Sequence, residues 1–126
     1  VDKLSYLMPS ERPRMDAGKI ETLCVEMGAH AAEEMLCRAF EDLGQRLLGL
    51  QELSDRQTQD ELHKALKGLA AIADQIGLCG LACVARDVMT CIEYGDLTAQ
   101  AATTARLERM GERSLSALWD LQDLSV

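Results

Sequence analysis

Residues 61–96 read ELHKALKGLAAIADQIGLCGLACVARDVMTCIEYGD, and their apolar pattern decides the fold. Leu62, Ala65, Leu66, Leu69, Ile72, Ala73 and Ile76 recur at steps of three and four, and so do Leu81, Ala82, Ala85, Val88, Met89 and Ile92. That period belongs to the α-helix, whose residues three and four apart share a face. Gly77 and Gly80 bracket a tight connection between the two stripes, while Gly95 followed by Asp96 reads as a helix stop and a new N-cap. Ahead of the first stripe, Ser54 and Gln57 have capping-box spacing, which predicts a helix over about 55–76.

The same period extends outward. Ala32, Met35, Leu36, Ala39, Phe40, Leu43, Leu47 and Leu50 mark a long amphipathic helix over 29–50, with Glu33, Glu34, Arg38, Glu41, Asp42 and Arg46 on its solvated face. His30 reads as a helix-end residue. Ala101, Leu107, Met110, Leu115, Leu118 and Leu121 line a last helix. Asp16 caps a short helix through Met27, which Gly28 ends in a left-handed conformation. Pro9 and Pro13 break residues 1–15 into an N-terminal arm or short helix. Short connections predict an all-α, up-down-up-down antiparallel four-helix bundle over 16–126, with the 16–27 segment as an additional cover helix.

Composition fits one such domain: of 126 residues 48% are hydrophobic and only 3% aromatic, which fills a core and favours helix over strand. A net charge of −8 argues against nucleic acid and anionic membrane surfaces as partners. No apolar run is long enough to span a bilayer, and the expected location is the cytoplasm. Five cysteines, an odd number in mostly helical contexts, read as reduced thiols. Cys79 and Cys83 stand one turn apart and offer two soft ligands, but no histidine has metal-ligand spacing to them, so no metal site or cofactor is expected. A glycine-rich phosphate loop, a nucleophile elbow and paired metal-binding histidines are all missing, which argues against a self-sufficient enzyme.

The segment Glu61-Leu62-His63-Lys64-Ala65-Leu66-Lys67-Gly68 is the local feature with chemical content. At about 100° per residue Lys67 points away from the apolar stripe, with His63 and Lys64 about 40° and 60° to either side. An exposed imidazole beside an ammonium suits reversible phosphoryl transfer, because the neutral ring attacks and the cation offsets charge on phosphate oxygens. Gly68 would leave space for another protein's backbone. The plainer reading is a boundary histidine on a solvated helix, with lysines that serve solubility.

The order of these features resembles the histidine-phosphotransfer (HPt) family: a cover helix, an acidic helix ending near Leu50, Leu66-Lys67-Gly68 in the next, Ile76-Gly77 after it, and Gly95-Asp96 before the last. The likeness covers roughly residues 16–124. It implies a partner, either a response-regulator receiver domain or a histidine kinase, with the receiver supplying Mg and the acid–base groups. Lys67 and Gly68 would fall on the family's charge-stabilising lysine and clearance glycine. The family pattern is His-x-Leu-Lys-Gly, whereas this chain has one residue more between His63 and Leu66, which places Lys64 at the acceptor position. Anchoring on Gly77 instead places Lys67 there. Only a local helix bulge would bring His63 into register. Three readings follow: a degenerate HPt-like protein that docks a receiver or kinase without being phosphorylated, an active phosphocarrier using His63, or a helical homo-oligomeric module whose last helix pairs through Leu107, Met110, Leu118 and Trp119.

Overall fold

The ends of three helices in this chain are set by glycine. The computed structural model describes residues 16–56 and 58–124, and these form five helices: α1 (Ala17–Met27), α2 (Ala29–Arg56), α3 (Gln59–Gln75), α4 (Cys79–Tyr94) and α5 (Leu97–Leu124). No strand occurs among the described residues. Gly28, Gly77 and Gly95 are the described residues with positive φ, and each follows a helix end. After α3, Leu78 N–H donates to the Ala73 carbonyl at 2.7 Å and Gly77 N–H to the Asp74 carbonyl at 3.2 Å. After α4, Asp96 N–H donates to Cys91 and Gly95 N–H to Ile92, both at 3.1 Å. Both are Schellman closures with glycine at the position where an L side chain would be strained.

The N-caps refine the expected boundaries. Asp16 accepts from Lys19 N–H and Asp96 from Ala99 N–H, as their positions predict. The Ser54 and Gln57 box does not start α3. Helix α2 runs on to Arg56, so Ser54 lies within it, and Gln57 falls outside the described residues. The working cap is Thr58, whose Oγ accepts from Glu61 N–H at 3.4 Å, four residues later with the same spacing. Gly28 has φ 85° and ψ 150°, so its φ is positive but its ψ is extended rather than left-handed helical. Gly80 belongs to the first turn of α4 and is buried, which leaves residues 76–78 alone as the connection.

Packing follows chain order: α1 on α2, α2 on α3, α3 on α4, α4 on α5, with α2 also meeting α5. The helices α2 to α5 therefore enclose one core, containing Leu43, Leu66, Leu69, Ile76, Leu78, Leu81, Val84, Val88 and Leu107. Burying each large aliphatic side chain contributes about 1.5–3 kcal/mol of transfer free energy. One expectation is corrected. Ala101 is exposed, because the buried stripe of α5 runs through Leu107, Met110 and Ser114 instead. Helix α1 packs mainly against α2. Its N-terminus reaches the α3–α4 turn, where Asp16 N–H donates to the Gly77 carbonyl at 2.7 Å and Lys19 Nζ to the Asp74 carbonyl at 2.7 Å. The arm expected over residues 1–15 lies outside the described residues, as do the side chains of Leu118, Trp119 and Leu121. Among the described residues no helix is long and apolar enough to cross a membrane.

Candidate functional site

Helix α3 is uninterrupted α-helix from Gln59 to Gln75, with no π turn. Asp60 and Glu61 in its first turn complement the helix dipole. Leu62, Leu66, Leu69, Ala70 and Ala73 face the core, which turns Lys64, Lys67 and Ala71 to solvent. The two lysine ammonium groups have no hydrogen-bond or ion-pair partner among the described residues. Because the helix is regular, Lys64 stays in line with Leu66-Lys67-Gly68, and no bulge moves His63 into its place.

The other two predicted site residues flank this stripe on opposite sides. His63 leans onto α4: its Nε2 lies 2.9 Å from Glu93 Oε1, with 31% of the side chain exposed. One ring nitrogen is therefore engaged by a carboxylate. Gly68 leans onto α2. A Cβ built there would meet Arg46 Nη1 at 2.6 Å, so the room the glycine leaves is occupied by a guanidinium of the same chain. Arg46 is held from behind by Asp42, whose Oδ1 accepts from Nε at 3.2 Å.

Glu93 and Arg46 were not singled out as site residues from sequence. Arg46 read as one more charge on a solvated face, and Glu93 is far from His63 in the chain. A signal existed in the turns: Arg46 and Gly68 each stand eleven residues from Gln57, and His63 and Glu93 stand fourteen and sixteen from Gly77. Two helices joined by a short turn and packed on each other bring such positions together.

Beyond the α3 stripe, Asp74 and Arg86 pair across the α3–α4 seam. The hydrogen bond and charge of Asp74 raise the Arg86 guanidinium above its ordinary range, with the Cys83 thiol adding in the same direction. Cys79 and Cys83 are exposed and Cys24, Cys37 and Cys91 half-buried, all as reduced thiols. His30 is exposed at the start of α2, with Nε2 3.3 Å from Glu34 Oε1. Among the described residues no three His, Cys, Asp or Glu side chains gather in a way that would hold a metal ion. No family model, curated protein or solved structure matches the chain.

Proposed function

We propose that this chain is an HPt-like signalling protein that docks a response-regulator receiver domain or a histidine kinase through the exposed face of α3, without itself carrying phosphate. In this reading α2 to α5 form the antiparallel up-down-up-down bundle of that family, α1 is its additional N-terminal helix, and the protein works in the cytoplasm. The observation that carries the degenerate form is the regular course of α3, which keeps Lys64 at the acceptor position of the family pattern. An ammonium has donors only and no lone pair with which to attack phosphorus. The surroundings of His63 point the same way. A phosphoryl group on Nε2 would bring negative charge against the Glu93 carboxylate now 2.9 Å away, and the two repel most where solvent is partly excluded.

The phosphocarrier reading keeps one supporting fact, that His63 is partly exposed. The pairing of α5 with another copy loses two of its contacts, because Leu107 and Met110 lie in the chain's own core. The test is incubation with phosphorylated receiver domains from the same organism, scoring both binding and acid-labile label on wild type and His63→Ala. Receiver binding with no label on either protein is expected. Label on wild type alone would make His63 a carrier and overturn the degenerate reading. Lys64→Glu with Lys67→Glu should weaken receiver binding about tenfold, since each reversal replaces an attraction by a repulsion of comparable size.

A further inference from the structure

We propose that Arg46 is a third cation of the docking face, seated there by Gly68, and that Arg46, Lys64 and Lys67 together select a partner protein presenting clustered carboxylates. This rests on the docking reading above and changes the part Gly68 plays in it: the glycine admits a guanidinium of this chain instead of leaving room for a partner's backbone.

The chain carries 21 acidic and 13 basic residues, so a cation on its surface has carboxylates to choose from. Lys64 and Lys67 nevertheless stand three apart on one exposed face, with no carboxylate paired to either among the described residues, an arrangement that works against the helix because like charges on adjacent turns repel. Arg46 is brought to the same face from α2. Its Nη1, Cζ and Nη2 lie 2.6, 3.5 and 3.9 Å from the Cβ that any other residue at position 68 would carry, so the guanidinium lies over the glycine. Asp42 holds Nε at 3.2 Å, and the Arg46 side chain remains 41% exposed, oriented yet within reach of a partner. Gly68 is one turn beyond Lys64 and about 40° from it around α3, so the guanidinium stands beside the lysine stripe. The opposite flank carries His63 with Glu93. The face thus presents the Arg46 guanidinium, with Asp42 behind it, toward α2 and the Glu93 carboxylate, with His63, toward α4, an asymmetry that orients an acidic partner. A planar guanidinium adds two-point recognition of a carboxylate that neither lysine offers.

Binding to a panel of receiver domains from the same organism, titrated at low and high salt, tests this with wild type, Arg46→Ala, Gly68→Ala, the two combined, and Lys64→Glu with Lys67→Glu. Arg46→Ala should lower affinity about fivefold at low salt and less at high salt. Gly68→Ala should weaken binding by displacing the guanidinium while holding or raising the thermal midpoint, since alanine favours helix more than glycine does. The combined variant should bind no worse than Arg46→Ala alone, because both remove one interaction. If both single variants bind as wild type while the lysine reversals weaken binding, the docking face stands and the role of Arg46 falls. Weakening by Gly68→Ala but not by Arg46→Ala would return the glycine to plain clearance and overturn the proposal. If wild type binds no receiver, the docking reading fails and this inference fails with it.

Discussion

Gly28 and Gly77 hold nearly the same φ, 85° and 84°, yet they join helix pairs of very different character. The Gly77 turn is buried: Ile76 and Leu78 on either side are fully excluded from solvent, and α3 and α4 each carry five or more buried residues. The Gly28 turn is exposed, and among its described side chains α1 beside it contributes only the half-buried Ile20, Leu23 and Cys24. A Cβ at Gly28 would meet nothing within 4 Å, while one at Gly77 would meet the Asp16 carbonyl oxygen at 2.9 Å. Similar φ values therefore serve two purposes. At Gly77 the turn is also the seat on which the N-terminus of α1 rests, so a local backbone choice is coupled to packing. At Gly28 it only redirects the chain.

The contrast can be broken by truncating one leucine in each pair. Leu69→Ala, at a fully buried position on α3, should cost about 2–5 kcal/mol in urea unfolding, the range for a cavity that a packed core cannot close. Leu23→Ala on α1 should cost about 1 kcal/mol, since water already reaches the site. Comparable losses would mean that α1 is as much part of the cooperative core as α3. A finer test replaces the two glycines. Gly77→Ala should cost about 2–3 kcal/mol, because the strain of positive φ is joined by a collision with rigid backbone. Gly28→Ala should cost about 1 kcal/mol, because an exposed turn can relax by shifting a lightly packed helix. Equal costs would remove the coupling between the Gly77 turn and α1.

How much of this was legible in sequence follows from the range of each cause. The apolar stripes of α2, α3 and α4 could be read because burial of a helix face repeats every three or four residues within one segment. Asp16, Gly28, Gly77, Gly95 and Asp96 could be read because capping acts over a single turn. The start of α3 was read four residues early because Ser54 with Gln57 and Thr58 with Glu61 present the same spacing, and only the continuation of α2 to Arg56 decides between them. The phase of α5 was misjudged at Ala101, since a helix rich in alanine has a weak apolar stripe. At the candidate site, the outward direction of Lys64 and Lys67 follows from the α3 stripe. The Glu93 and Arg46 contacts do not, because they depend on which residues two turns bring opposite one another. Gly68 shows the consequence: sequence marks a missing side chain, but the neighbouring helix determines what uses the space.

The smallest expected effect concerns the ion pair that joins the two members of the tighter helix pair. Asp74 and Arg86 bridge α3 and α4 close to Gly77, and both side chains are more than a third exposed. An exposed pair contributes about 0.2–1 kcal/mol, so Arg86→Ala should lower stability by less than 1 kcal/mol and by less still at high salt. The sign of its pH dependence follows from the guanidinium. Its folded-state affinity for the proton is raised, first by the hydrogen bond it donates to Asp74 and then by that carboxylate's charge. A group raised in this way contributes fully below its unfolded value and loses the contribution only as pH climbs through the raised one, which lies in strong alkali. The difference in unfolding free energy between wild type and Arg86→Ala should therefore be flat from pH 6 to pH 9. A difference that changes over that range would show that the seam between α3 and α4 responds to pH through groups other than the guanidinium.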